Sequence, residues 1–208
     1  MRQRSRMHSI VMILVWIVLF FSVMYCTYTG HLRTFDYGVL KAFYELKNPT
    51  LDPFFLVITW LGSLWILLPL SILIMLFPSY QCQNIKRVFA VGFLSTIAIT
   101  HGIKNVVERH RPDFFDTLID MPLDFSFPSA HTAQITAFAF FLWIFFKEGL
   151  LKSILLRSIL LFIVVSVAAS RIYLQVHFPT DVIAGFLIAM ICCCTTLVMI
   201  KPNQETLL

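Results

Sequence analysis

Long apolar runs separated by short polar segments dominate the 208-residue chain. A helix that crosses a bilayer needs about 20 mostly apolar residues. We expect six such spans, at 9–28, 54–77, 87–107, 130–146, 155–173 and 180–200. The segments between them are short and carry no internal repeat. The pattern therefore predicts one all-α domain over residues 1–208, a polytopic bundle of six transmembrane helices.

The segment between the first two spans has an amphipathic pattern. Four apolar side chains share one helical face: Val39, Leu40, Phe43 and Leu46. Asp36 lies outside that face. This pattern fits either a short helix in the membrane interface or an ordinary packed loop helix.

Composition supports a membrane protein. The chain is 59% hydrophobic and 13% charged, whereas soluble domains average about 45–50% apolar and about 25% charged residues. Its net charge of +5 is scattered around the apolar runs. We therefore expect the bilayer, and no nucleic acid, as a partner.

The placement of lysine and arginine predicts orientation, because these residues collect in cytoplasmic loops. Nine of these residues flank the spans on the side with both termini, and seven lie on the other side. Three of the seven have expected functional roles, which leaves nine against four. We therefore expect both termini in the cytoplasm. The nine are Arg2, Arg4, Arg6, Lys86, Arg87, Lys147, Lys152, Arg157 and Lys201.

Polar residues gather at the opposite, outer ends of the last four spans. They occur in three segments, 104–112, 128–131 and 170–181. In a bundle of antiparallel helices these ends converge on one pocket. The segments supply three cations, of which arginine matches phosphate oxygens bidentately and lysine acts as a point charge. The cations are Lys104, Arg111 and Arg171.

The second segment predicts an anion site. Ser129, preceded by Pro128, is a suitable N-cap for the fourth span. The backbone N–H groups of Ala130 and His131 then point outward from a helix N-terminus, where anions bind.

The third segment predicts a nucleophile. Asp181 lies close enough in sequence to accept a hydrogen bond from the His177 ring, which leaves the other ring nitrogen free to attack. Ser170 shares the face of His177 for as long as the helix persists. With His131 as a candidate acid, these residues indicate a catalytic site at the membrane surface.

The ordered spacing of the three segments resembles the signature of the type 2 phosphatidic acid phosphatase (PAP2) superfamily, in its membrane lipid phosphatase branch. The matching positions are Lys104-x6-Arg111-Pro112, Pro128-Ser129-Ala130-His131 and Ser170-Arg171-x5-His177-x3-Asp181. The resemblance implies that His177 attacks phosphorus to form a phosphohistidine and that Asp181 supports it. It implies that His131 protonates the leaving group and then activates water.

The resemblance also implies a set of phosphate-binding groups and no metal or other cofactor, since cations and N–H dipoles stabilise the charge. The phosphate-binding residues are Lys104, Arg111, Ser129, Ala130 and Arg171, with Pro112, Pro128 and Ser170 supporting them. The family usually has glycine where this chain has Ala130. We expect Ala130 at a helical position, where alanine fits without strain; a positive φ there would distort the site.

The function implied is hydrolysis of a lipid phosphate monoester or pyrophosphate in the bacterial inner membrane, with the site facing the periplasm or exterior. Undecaprenyl pyrophosphate and phosphatidylglycerol phosphate are favoured as substrates, and phosphatidic acid and lipid A phosphates are further candidates. A transporter or channel remains an alternative, as does a non-catalytic lipid-binding protein of the same fold. The gathering of polar residues at one level, and the presence of His131, His177 and Asp181, favour the enzyme.

Other charged residues have simpler interpretations. Arg33 and Arg109 are expected to extend to the membrane interface, and Glu108 is a possible ion-pair partner of Lys104 at i,i+4. The carboxylates between the third and fourth spans are expected to shape the loop rather than to bind metal; they are Asp113, Asp116, Asp120 and Asp124.

Overall fold

The computed structural model describes residues 2–76, 83–145 and 150–200, and every regular element within these ranges is helical. The helices are α1 (Arg2–Tyr28), α2 (Arg33–Glu45), α3 (Leu51–Ile58), α4 (Leu64–Leu76), α5 (Gln83–Val107), α6 (Ala130–Phe145), α7 (Leu150–Tyr173) and α8 (Pro179–Met199), with a 3-10 turn at Thr59–Gly62. Some charges used above to predict orientation lie outside the described residues or side chains: Arg2, Arg4, Arg6, Lys147, Lys152 and Lys201.

Four helices in the described part of the chain, α1, α5, α7 and α8, are individually long and apolar enough to cross a membrane. The pair α3 and α4 reaches that length together, with a bend of 46°. Helix α6 is apolar but shorter. The chain is therefore an all-helical integral membrane protein.

The run 54–77 does not form the single helix that we expected. It breaks after Gly62, because Ser63 is extended (φ −80°, ψ 142°) and its carbonyl accepts hydrogen bonds from the first turn of α4. Gly62 permits a close approach: a Cβ there would lie 2.6 Å from Val167 Cγ1 and 3.1 Å from His131 Cβ. The break thus brings this segment against α6 and α7.

Helix α6 lies at the centre of the bundle, packed against α4, α5, α7 and α8. Its residues 132–139 are all buried, including the polar residues Thr132, Gln134 and Thr136, because other helices surround this part of α6. Phe138 meets the rings of Phe89 and Phe93 on α5 edge to face, with centroids 5.8 and 6.1 Å apart. The first turn of α6 is less covered, at Ala130 and His131, as are Phe140 and residues 142–144 toward its other end.

Helix α2 packs across the outer ends of α7 and α8, which favours the packed-helix interpretation of its amphipathic pattern. Leu40 is fully buried and clusters with Ile172 and Val182. Leu46, the C-cap residue, is 55% exposed and does not share in this packing. Asp36, expected outside the apolar face, is only 1% exposed, because polar groups of other elements meet it.

Stacked aromatic rings fasten the loop between α5 and α6 to α2. Phe115 stacks on Tyr44 with centroids 4.6 Å apart, and Phe114 meets Tyr37 edge to face at 5.3 Å. The Lys47 ammonium donates to a loop carbonyl nearby. This loop is therefore held in place before it reaches α6.

The N-termini of α6 and α8 meet at the outer end of the bundle. Ser129 N donates a hydrogen bond of 2.9 Å to the Asp181 carbonyl oxygen. The contact is possible because Gly185, one turn along α8, has no side chain: a Cβ there would overlap the carbonyl oxygen of Ser129.

Gly185→Ala should destabilise the protein, because the backbone of the α6 N-terminus has to move to admit the methyl group. Overpacking of this kind costs about 1–3 kcal/mol, which corresponds to about 2–12 °C in Tm for a chain of this size. Thermal unfolding in detergent measures the change. Gly102→Ala is the matched control, since a Cβ at Gly102 on α5 would meet nothing within 4 Å and should leave Tm equal or higher.

Candidate active site

A cavity of about 200 Å³ opens where the outer ends of α5, α6 and α7 approach one another. Six of the predicted site residues line it: Lys104, Arg111, Ala130, His131, Arg171 and His177. Its wall also contains Ser63, Leu64, Trp65, His101, Pro122, Asp124 and Gln134, which the sequence analysis did not assign to the site. The three segments therefore do converge on one pocket.

His177 lies in the turn between α7 and α8 and is 2% exposed. Its Nδ1 is 3.4 Å from Asp181 Oδ2 and 3.3 Å from Ser126 Oγ. The Ser126 hydroxyl itself donates to Asp181 Oδ2, so its oxygen faces the ring as an acceptor. Asp181 thus orients His177 both directly and through Ser126.

The neighbours of His177 define its tautomer. Arg111 Nη1 lies 3.2 Å from His177 Nε2, and a guanidinium can only donate hydrogen bonds. Nε2 therefore carries the lone pair, and the ring proton sits on Nδ1, toward Asp181. Burial lowers the pKa of the His177 imidazole well below 6.5, and the charges of Arg111, Arg171 and Lys104 lower it further. The His177 ring is therefore neutral and held in one orientation.

Asp124 bridges two of the predicted phosphate ligands. Its carboxylate lies 2.8 Å from Lys104 Nζ and 2.6 Å from Arg111 Nη2. Burial by itself would raise the pKa of the Asp124 carboxyl, but the hydrogen bond and charge of Lys104, with the charge of Arg111, hold it well below its usual value. The expectation that Asp124 only shapes the loop is therefore incomplete: it is the counter-ion of the cavity.

Arg171 is 3% exposed and donates from Nη1 to Thr59 Oγ1 at 2.7 Å. Its Nε has no hydrogen-bond partner. A buried donor left unpaired is costly and uncommon. The guanidinium lines the cavity, so it has donor capacity for an anion bound there.

The first turn of α6 closes another side of the cavity. Helix α6 begins at Ala130, and Ala130 is not among the described residues with positive φ. Alanine therefore fits here, as expected. The first N–H groups of a helix have no partner within it, so those of Ala130 and His131 are available to an anion.

Five predicted residues lie behind the cavity rather than in its wall: Asp181, described above, and Ser129, Ser170, Pro112 and Pro128. Ser129 accepts a hydrogen bond of 3.1 Å from the Thr132 hydroxyl and sits under α8. Ser170 donates to the Val167 carbonyl of its own helix. Helix α7 ends at Tyr173, so the helical face of Ser170 does not continue to His177. Pro112 and Pro128 are buried.

Two expectations about the end of α5 are wrong. The partner of Lys104 is Asp124, whereas Glu108 follows the helix end and takes φ 48°. Arg109 does not extend to the interface: it donates to Asp181 Oδ1 at 2.5 Å and to Asp36 Oδ2 at 2.7 Å. No local pattern marks Arg109, Asp36 or Ser126 as part of a site, since their partners are distant in sequence.

Among the described residues, no three His, Cys, Asp or Glu side chains are arranged to hold a metal ion. What the cavity combines is a neutral histidine, three cations and a helix N-terminus at one end of a membrane bundle. These are the features of a membrane phosphohydrolase.

Comparison with known proteins agrees. The model of the PAP2 superfamily matches residues 86–205. Phosphatidylglycerophosphatase B of Bacillus subtilis (strain 168) is 28% identical over 85% of this chain and 89% of that protein. An undecaprenyl-diphosphatase of Sulfolobus acidocaldarius is 26% identical over 74% of this chain and 73% of that protein.

A solved structure is also similar. The crystal structure of a transmembrane PAP2-type phosphatidylglycerolphosphate phosphatase from Bacillus subtilis superposes with a TM-score of 0.80 at 25% identity, covering 93% of this chain and 98% of that one. The chain belongs to the PAP2 superfamily. It is a membrane phosphatase of the PAP2 type, which confirms the resemblance in the three segments.

The His177 tautomer can be measured by NMR of protein labelled with ¹⁵N in histidine. The neutral ring with its proton on Nδ1 should persist well below pH 6.5, because burial and Arg111 disfavour the charged form. The resonance is assigned by its loss in His177→Asn. Arg111→Gln should raise the pKa of His177, whereas an Nε2–H tautomer, or titration at or above pH 6.5 in the unsubstituted protein, contradicts the assignment.

Proposed function

We propose that this protein is a lipid phosphatase that hydrolyses a phosphate monoester or pyrophosphate through a phosphohistidine at His177, without a metal ion. The observation that carries the proposal is the neutral His177 ring facing a cavity that Lys104, Arg111 and Arg171 also line. Cations and helix N–H groups stabilise charge on phosphoryl oxygens in a site that excludes water.

The size of the cavity supports a phosphate group as its occupant. Pockets for drug-sized ligands have volumes of about 300–1,000 Å³, so a cavity of about 200 Å³ takes the phosphate and leaves the lipid outside. Trp65 lines the cavity and is 83% exposed on α4. The lipid therefore reaches the phosphate site along the membrane face of α4.

In the first step the Nε2 lone pair of His177 attacks phosphorus, and the bond from phosphorus to the lipid oxygen breaks. Asp181 and Ser126 accept the Nδ1–H and stabilise the ring as it gains positive charge. His131 gives its proton to the departing lipid oxygen. Arg111, Arg171 and Lys104 hold the three phosphoryl oxygens throughout.

In the second step His131 takes a proton from water, whose oxygen attacks the phosphohistidine. The phosphorus–nitrogen bond breaks, orthophosphate leaves, and His177 regains its neutral Nδ1–H form. Replacing one difficult displacement with two easier ones is the advantage of a covalent intermediate.

The bundle crosses a bacterial inner membrane six times, counting the α3–α4 pair and α6 as one crossing each. Both termini are cytoplasmic, and the cavity opens at the opposite surface. Phosphatidylglycerol phosphate and undecaprenyl pyrophosphate are the favoured substrates, since two similar proteins are a phosphatidylglycerophosphatase and an undecaprenyl-diphosphatase.

Phosphate release tests the reaction. Purified protein in detergent with EDTA should release phosphate from at least one of phosphatidylglycerol phosphate, undecaprenyl pyrophosphate, phosphatidic acid and lipid A phosphate. His177→Ala should lower the rate by more than about 10⁴-fold, as loss of a nucleophile does elsewhere. His110→Ala is the matched control: it removes a histidine from the same end of the molecule that does not line the cavity, and should retain activity.

The intermediate can be trapped with a phosphate ester whose leaving group needs no proton, such as p-nitrophenyl phosphate. In His131→Asn the first step should survive and the second should stall, so an alkali-stable phosphoenzyme accumulates. Release that persists in His177→Ala rules out this nucleophile. Absence of release from every lipid by folded protein favours transport or non-catalytic lipid binding.

Asp124 should compete with phosphate for Lys104 and Arg111. Asp124→Asn removes that competition, so the inhibition constant for orthophosphate should fall by up to about tenfold, equal to about 1.4 kcal/mol. Asp120→Asn is the matched control, with the same charge change on the same loop at an exposed residue outside the cavity wall. Unchanged or weaker inhibition in Asp124→Asn contradicts the competition.

A further inference from the structure

Arg109 forms ion pairs with two buried carboxylates at the outer end of the molecule. Its guanidinium carbon lies 3.8 Å from the centre of the Phe178 ring. From Nη1 it donates to Asp181 Oδ1 at 2.5 Å and to Thr180 Oγ1 at 2.7 Å, and from Nη2 to Asp36 Oδ2 at 2.7 Å. One side chain thus joins two acidic residues from different helices.

Asp36 is the second part of this arrangement. Its carboxylate is 1% exposed and also accepts hydrogen bonds from Thr180 N at 3.1 Å and Thr180 Oγ1 at 2.8 Å. Asp36 therefore reaches across from α2 to bind the first turn of α8, the same turn that carries Asp181. A carboxylate buried this fully is stable only when it is paired and hydrogen-bonded.

The ion pairs Asp36–Arg109 and Arg109–Asp181, followed by the contact of Asp181 with the neutral His177 ring, form a chain that ends at the proposed nucleophile. Asp181 is fully buried, and Arg109 is the cation that balances it within the described residues. Neither Arg109 nor Asp36 lines the phosphate cavity. Arg109 and Asp36 can therefore act on the reacting atoms only through Asp181 and His177.

We propose that Arg109 and Asp36 are positioning residues for the His177–Asp181 pair: Arg109 holds Asp181 in its ionised, oriented form, and Asp36 holds Arg109 and partly offsets its charge. The inference rests on the proposed function, since it takes His177 as the nucleophile. It assigns α2 a part in the reaction, although α2 contributes nothing to the cavity wall.

Substitutions of Arg109 and of Asp36 should shift the acid limb of the pH profile of kcat/KM in opposite directions. That limb reports protonation of the essential base in the free enzyme. Removing the Arg109 cation favours protonation, so the limb shifts to higher pH; removing the Asp36 anion disfavours it, so the limb shifts to lower pH. The other charged or titratable groups facing His177 are unchanged in these variants: Arg111, Arg171, Lys104, Asp124 and His131.

The test measures kcat, KM and the pH dependence of kcat/KM for full-length protein in detergent, with the lipid released fastest by the unsubstituted enzyme. Arg109→Gln should lower kcat by about 100-fold, within the range for loss of acid–base support, with KM changed less than about threefold. Its acid limb should move to higher pH. Arg109→Lys should restore the position of the limb, because the charge is kept, and recover only part of kcat, because the fork geometry is lost.

The double variant Asp36→Asn/Arg109→Gln should bring the acid limb back toward its original position, which a merely structural role would not do. Arg33→Gln is the control for loss of an exposed arginine at the same end of the protein. Tm is measured for each variant. If Arg109→Gln does not fold, Arg109→Lys and Asp36→Asn are compared instead. A change in kcat and in the position of the acid limb, with KM unchanged, supports the positioning role.

Unshifted limbs, shifts in the same direction for both residues, or a change in KM alone overturn this inference. Such results in an enzyme that releases phosphate and loses that activity in His177→Ala leave the proposed function standing. Failure of His177→Ala to abolish release instead removes the proposed function, and the positioning role with it.

Discussion

The arrangement of the segments at the outer end of the molecule depends on the buried carboxylate of Asp181. A carboxylate without solvent is tolerated only with charged and hydrogen-bonding partners around it. Arg109, Ser126 and the Phe178 N–H supply them from the end of α5, the following loop and the start of α8. The carbonyl of the same residue accepts Ser129 N from α6. The hydrogen bonds of Asp181 thus fix four segments relative to one another, and the His177 ring lies among them.

The cations of the cavity impose a second constraint. Lys104, Arg111 and Arg171 repel one another in surroundings where charges are weakly screened. Asp124, on a loop that aromatic stacking fastens to α2, relieves this repulsion by pairing with Lys104 and Arg111. The same cations suit a doubly charged phosphate better than a single carboxylate. One loop carboxylate therefore offsets part of the charge of the three cations.

The sequence predicted part of this arrangement for clear physical reasons. Apolar runs matched α1, α5, α7 and α8, because a helix in lipid must be apolar for about 20 residues whatever its neighbours are. The prediction of a single helix over 54–77 was wrong, since its break depends on Gly62 fitting against Val167 and His131. Lys104, Arg111, Ala130, His131, Arg171 and His177 were found from spacing, and they do line one cavity.

By itself, then, the sequence determined four of the membrane-spanning helices and which polar residues gather at one end of the bundle, because hydropathy and motif spacing are local properties of the chain. Only the tertiary structure decided which charges balance which. Asp36 lies 73 residues from Arg109 and 144 from Thr180, and Lys104 pairs with Asp124 rather than with Glu108 on the next turn. Ion pairs form between side chains that folding brings within a few ångströms, and no local pattern along the chain records that distance.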